Sequence, residues 1–177
     1  MESDEQLVQA ANEGDAEAFE SLYYRYRDWV YRLAFRFTRN REQALDVLQE
    51  TFAYLLRKLP NLKLTASMTT FLYPVVKHVS ITIGRKSRRE KPIDEGLAEL
   101  PSPAPEQAGA SRAELAAVMG NLPEDQREIV LMRFVEDMSI DEIAAAIGIP
   151  AGTVKSRFYR ALQTLRNDRR TRDYFLE

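Results

Sequence analysis

Apolar residues in the first half of the chain recur every three or four positions rather than every two, the pattern of amphipathic helices. Ser3 followed by Gln6 forms a capping box that opens a short helix, and Gly14 ends it. Asp15 caps the next, where Phe19, Leu22, Tyr23, Tyr26, Val30, Leu33, Ala34 and Phe37 form one stripe. Asn40 with Gln43 opens a third helix that runs to about Lys58, before Pro60. A polar loop over 61–67 leads to a fourth helix over 70–84. Pro74 lies inside it, which predicts either a kink or a start near Phe71.

Between 87 and 110 the period breaks. Pro92, Pro101, Pro103 and Pro105, with Gly96 and Gly109, interrupt any regular element, and large apolar residues thin out, as in a linker. Such a segment, fully extended, spans roughly 80 Å at about 3.3 Å per residue. Helical signals then restart. Ser111 and Glu114 form a second capping box, with Leu115, Val118, Met119 and Leu122 on one face. Pro123 precedes a helix expected to turn Ile129, Val130, Leu131 and Phe134 inward, and Ser139 with Glu142 forms a third box. No alternating stretch is bounded by a hairpin turn. The expected fold is all-α: two small helical domains, 1–90 and 111–177, joined by a flexible linker over 91–110.

Composition narrows the chemistry. The 177 residues are 45% hydrophobic and 29% charged, the balance of a globular protein. The absence of cysteine excludes disulfide scaffolds, thiolate metal sites and cysteine nucleophiles, and the single histidine, His78, cannot build a histidine metal cluster. No catalytic residue, metal, cofactor or small-molecule substrate is expected. The longest apolar run, 71–76, is far too short to span a membrane, and the acidic start is the opposite of a signal peptide, so no membrane insertion and a cytoplasmic location are expected. The net charge of −2 hides a segregation: residues 1–20 carry seven acids and no Lys or Arg. Residues 85–91 carry five bases against one acid, and residues 150–177 carry seven bases against three acids. Two basic patches on an acidic chain fit polyanion contacts at two places, or a pair of solvated helix ends.

The most specific pattern covers 140–157. Ala144 is small enough for two helices to cross, Gly148 accepts the positive φ of a tight turn, and Ile143, Ile147, Ile149 and Val154 plug the angle between them. This is the layout of a helix-turn-helix, whose second helix begins near Ala151 or Gly152. Its outward positions, Thr153, Lys155, Ser156, Tyr159 and Arg160, can bond phosphates and base edges. Arg157 joins them as a candidate contact. An ordinary αα-corner with a basic face is the plainer alternative, and it explains fewer of these matched constraints.

A second pattern lies at 44–52. At 100° per residue, Leu45, Leu48, Phe52, Leu55 and Leu56 share one sector, expected to pack. Asp46, Gln49, Glu50 and Ala53 share another about 120° away, offering two carboxylates and an amide to a partner. A paired-carboxylate catalytic site lacks a metal partner or a second polar cluster here. A solvated helix face remains the plain alternative.

Taken together, these segments resemble the RNA polymerase sigma factors of the extracytoplasmic-function group. Residues 15–19 and 22–26, followed by 44–52, are similar to the second region of that family; Leu122-Pro123-Glu124-Asp125-Gln126-Arg127 through Leu165 is similar to its fourth region, with 152–157 the most distinctive piece. The resemblance implies a subunit that performs no catalysis itself. It implies that Asp46, Gln49 and Glu50 hold core RNA polymerase, that the first domain reads and melts the −10 element, and that the helix-turn-helix reads the −35 element of promoter DNA. It also implies an anti-sigma factor as a partner. The positions aligned with the melting helix are Phe71-Leu72 and Lys77-His78, where the family usually shows Trp-Leu and Arg-Asn, and Thr82 stands where an acid is usual. Phe71, Lys77, His78 and Arg85 are the expected −10 contacts. A sigma-like decoy that captures an anti-sigma factor without touching DNA, and a self-sufficient helix-turn-helix regulator, are the competing readings.

Overall fold

The computed structural model describes residues 2–90 and 109–171, and every regular element among them is α-helical. The helices are α1 (Asp4–Asn12), α2 (Ala16–Thr38), α3 (Arg41–Lys58), α4 (Met68–Glu90), α5 (Gly109–Gly120), α6 (Glu124–Phe134), α7 (Ile140–Ile147) and α8 (Ala151–Asn167). They fall into two compact units, 1–100 and 101–177. The expected linker at 91–110 lies outside the described residues, apart from its last two positions, which open α5.

In the first unit the local signals act as expected. Ser3 accepts from the Gln6 amide while the Gln6 side chain accepts from the Ser3 amide, closing the capping box of α1. Gly14, at φ 94°, turns the chain, and Asp15 caps α2 through the amides of Glu17 and Ala18. Asn40 caps α3 through the Gln43 amide. The core joins Leu7 and Val8 of α1, Leu22, Val30 and Leu33 of α2, Val47 and Leu55 of α3, and Leu72 and Val76 of α4. Arg25 pairs with Asp4 at 2.6 Å and Tyr26 donates to the same carboxylate, tying α1 to α2. Burial first, then the Asp4 bond and charge, push the Tyr26 phenol well above its ordinary pKa. The Asn12 amide group clamps the α3–α4 loop with two bonds to the Leu62 backbone, at 2.8 and 3.3 Å.

Two expectations for this unit are corrected. The fourth helix begins at Met68, neither at Thr70 nor near Phe71, so Pro74 lies six residues beyond its first residue and the helix continues through it. Ser67 assists the start by accepting from the Thr70 amide at 3.4 Å. The packing face of α3 is also rotated. Leu45 and Leu56 are 48% and 51% exposed, while Ala44, Val47, Thr51, Phe52 and Leu55 are buried. Helix α3 packs against both α2 and α4, and the small side chains of Ala44, Val47 and Thr51 let those neighbours approach, which leaves the two leucines outside.

In the second unit Val118, Leu122, Val130, Ala161 and Leu165 form one core cluster, with Met119 and Phe158 against it. Helix α5 starts at Gly109, two residues before Ser111, so Ser111 is a helical residue and not the expected cap. The Ser139–Glu142 box is formed. Phe134 is not turned inward: it is 57% exposed at the end of α6, where its ring meets that of Phe158. The chain leaves α6 through Asp137 at φ 52°, and Met132 and Met138 occupy the interior instead.

Candidate nucleic-acid interface

The turn between α7 and α8 determines what α8 can present. Gly148 adopts φ 70°, and the amides of Gly148 and Ile149 both donate to the Ala144 carbonyl, closing α7 abruptly. Ile143 and Val154 are fully buried across the angle, with Ile147 and Ile149 half-buried beside them. The buried small residue is Ala146; Ala144, expected there, is only half-buried. Helix α8 starts at Ala151 behind Pro150, and no side chain caps its first turn.

Along α8, Lys155, Ser156, Tyr159 and Arg160 are exposed, whereas Thr153 and Arg157 are half-buried. The Ser156 hydroxyl donates to the Thr153 carbonyl at 3.0 Å, and Arg160 Nε donates to the Ser156 carbonyl at 3.2 Å, so Arg160 is steadied along the helix with one of its five donors. Arg157 differs. Its Nε lies 3.2 Å from Asp125 Oδ2, at the start of α6, so this cation links two helices of the unit. Arg127 is a second structural cation: it donates to the carbonyls of Met119, Gly120 and Leu122 at 2.7, 2.7 and 2.9 Å, holding the end of α5. Past α8, two guanidinium bonds and one backbone bond from Arg170 depress the Asp168 carboxyl to about 2.

In the first unit, Asp46, Gln49 and Glu50 are all exposed and line one side of a cleft of about 570 Å³. Its other side is α4, with His78 and Thr82. The carboxylate face and the expected −10 face thus adjoin. His78 and Arg85 are exposed, while Phe71 and Lys77 are half-buried. Phe71 stacks on Tyr54 of α3, a partner that sequence spacing does not reveal. Among the described residues no group of three carboxylates or histidines is placed to hold a metal, and no helix is long and apolar enough to cross a membrane.

Comparison with known proteins decides the family. Residues 22–90 match the family model for sigma-70 region 2, and residues 112–165 match that for sigma-70, region 4. The chain is 30% identical to the RNA polymerase sigma-H factor of Pseudomonas aeruginosa over 93% of both chains. It is also 30% identical to the RNA polymerase sigma factor SigV of Bacillus subtilis, over 77% of this chain and 81% of that one. The chain belongs to the extracytoplasmic-function sigma factors of RNA polymerase. The fold of this sigma factor is shared with CnrH, solved with the cytosolic domain of CnrY, at a TM-score of 0.66 and 22% identity over 92% of this chain and 94% of that one. It is likewise shared with the sigma factor RpoE of Bartonella quintana, solved with the anti-sigma factor NepR, at 0.64 and 20% identity over 85% and 96%.

Proposed function

We propose that this sigma factor binds core RNA polymerase and directs promoter-specific initiation, its first unit engaging and melting the −10 element and its second reading the −35 element. The observation that carries the assignment is α8. It is held at a fixed angle by Gly148, Ile143 and Val154 and projects Lys155, Ser156, Tyr159 and Arg160 into solvent behind an uncapped first turn. Uncapped amides suit a phosphate, and exposed Lys and Arg suit phosphates and the guanine edge in the major groove. Lys155, in the first turns, is assigned to base readout and Arg160 to phosphate anchoring. Thr153 borders that surface, and Arg157 supports it from behind through Asp125.

Asp46, Gln49 and Glu50 are assigned to the polymerase: they point away from the packed face of α3, where burial does not explain them. Phe71, Lys77, His78 and Arg85 are assigned to the −10 strand, as an aromatic surface with cations along one helix. The catalytic chemistry belongs to the polymerase, and the place of work is the cytoplasm. An anti-sigma factor is a proposed partner, supported by the fold relative RpoE, solved with the anti-sigma factor NepR. A decoy would have no use for the exposed cations of α8.

Transcription in vitro with core enzyme and a random promoter library tests the assignment, and recovery of promoters sharing a −10 and a −35 element is the expected result. Changing Asp46 and Glu50 together to alanine is expected to abolish polymerase binding with helicity and Tm unchanged. Failure of the wild-type chain to bind core enzyme would overturn the reading.

A further inference from the structure

The cleft between α3 and α4 holds the single imidazole of the chain, that of His78. The ionisable groups that face it from α3 are Asp46, Glu50, Tyr54 and Arg57. Among the described residues, α2 contributes none to the lining, and Lys77 and Arg85 of α4 lie outside it. Asp46, Glu50, Arg57 and His78 are all exposed. With the imidazole neutral, two carboxylates stand against one guanidinium and the cleft is acidic; one proton on His78 balances it. Thr82, one turn further along α4, donates its hydroxyl proton to the His78 carbonyl at 3.0 Å, so that proton is committed to the backbone rather than to the imidazole. Histidine is the side chain whose charge ordinarily changes between about pH 5 and 8.

We propose that His78 makes docking to core RNA polymerase pH-dependent, its proton masking the carboxylates across the cleft. The inference rests on the assignment of Asp46, Gln49 and Glu50 to the polymerase. A surface that seats two carboxylates presents positive charge of its own. With His78 neutral, the acidic cleft attracts that surface. With His78 protonated, a cation inside the cleft offsets Asp46 and Glu50 and repels the approaching positive charge. The docked state therefore disfavours the protonated imidazole, so docking releases protons and tightens as pH rises through the histidine range. Every group involved is open to water, which holds the effect to that of one exposed ion pair, about 2- to 5-fold in affinity. Asparagine, usual in the family at this position, has no proton to gain, so the response belongs to this chain's own substitution.

The test measures binding of the full chain to core enzyme, without DNA, at about pH 8 and pH 6 and low salt. Leaving DNA out keeps the −10 assignment of His78 from entering the result. Wild type is expected to bind about 2- to 5-fold more weakly at the lower pH, and the difference to shrink as salt is added. His78→Asn is expected to lose the imidazole's share of that response. His78→Lys, charged at both pH values, is expected to bind weakly at both. Calorimetry near pH 6.5, in two buffers of different ionisation enthalpy, reads the protons directly: wild type should release more on docking than His78→Asn. Melting curves at both pH values separate weakened docking from unfolding. Failure of wild type to bind core enzyme at the higher pH overturns the polymerase assignment itself. Wild-type binding whose pH response and proton release are matched by His78→Asn overturns this proposal alone, and so does tight binding by His78→Lys.

Discussion

Replacing Arg127 by alanine removes three hydrogen bonds at once from the end of α5. The guanidinium donates to the carbonyls of Met119 and Gly120, in the last turn of α5 where a helix runs out of its own donors, and of Leu122 just beyond it; the Met119 carbonyl also accepts from the Leu122 amide at 3.2 Å. A single bond to a charged group is worth about 1.5–3 kcal/mol, but these three share one side chain and are partly open to solvent, so they do not add in full. Water can replace the guanidinium at Gly120, which is exposed; the carbonyls of Met119 and Leu122 are less accessible. The expected loss is therefore about 2–3 kcal/mol for the second unit. For a domain of this size that corresponds to a drop in its transition of roughly 10–20 °C. Arg127→Lys keeps the charge near the helix terminus but loses the fork, and should fall about midway. Calorimetry of the full chain measures the transitions. Trp29, the one tryptophan, lies in the first unit, so its fluorescence supplies an internal control that should not move. If both variants stay within about 0.5 kcal/mol of wild type, the range of ordinary surface substitutions, Arg127 does not hold the α5–α6 turn.

Two further outcomes follow from single contacts. Because the folded state raises the Tyr26 pKa, its contribution is complete below the ordinary tyrosine value of about 10 and is lost as pH rises above it; thermal melts across alkaline pH should fall more steeply for wild type than for Tyr26→Phe, and parallel curves would refute this. On α8, Arg160→Ala should flatten the salt dependence of holoenzyme binding to a promoter with a −35 element by about 0.9, one lost phosphate contact; Lys155→Ala should instead cost about 1–3 kcal/mol at one promoter position, while Arg157→Ala, whose guanidinium is paired with Asp125, should leave the slope unchanged. A slope flattened in Arg157→Ala as much as in Arg160→Ala would make Arg157 a direct DNA contact.

Most helix caps were legible in the sequence because their signal is local; Ser111, which lies inside α5, is the exception. Ser3–Gln6, Asp15, Asn40, Ser139–Glu142 and the positive φ of Gly148 each depend on residues within four positions. The face that α3 buries was not legible from hydrophobicity alone. Its neighbours demand close approach, so Ala44, Val47 and Thr51 go inside, while Leu45 and Leu56 stay out. Phe134 misled for a related reason: α6 ends there, and Met138, returning after the Asp137 turn, takes the interior position. For the candidate site, the exposed stripe of α8 followed from 3.6-residue periodicity. The Asp125–Arg157, Arg127–Met119 and Tyr54–Phe71 pairs did not, because each joins different helices and no spacing rule encodes it.

The clamp between Asn12 and Leu62 bears on the order in which the first unit comes apart. Helix α1 has nine residues, too few to persist alone in water, and no basic residue in its last turn to favour the helix end. It remains folded because Leu7, Val8 and Ala11 are buried against its neighbours, Asp4 is held by Arg25 and Tyr26 at one end, and Asn12 grips a backbone 50 positions away at the other. Local opening should therefore start with α1, as a cooperative segment of low stability beside the longer α2–α3–α4 helices. When it lifts, the loop before α4 loses its tether and the part of the core covered by Leu7 and Val8 is uncovered, while α2, α3 and α4 stay packed on one another. Amide exchange at Leu62, whose N–H bonds to Asn12, would then keep pace with α1 rather than with the helices on either side of the loop. The N-terminal helix thereby governs the freedom of the segment that delivers Phe71, although it belongs to neither proposed binding face.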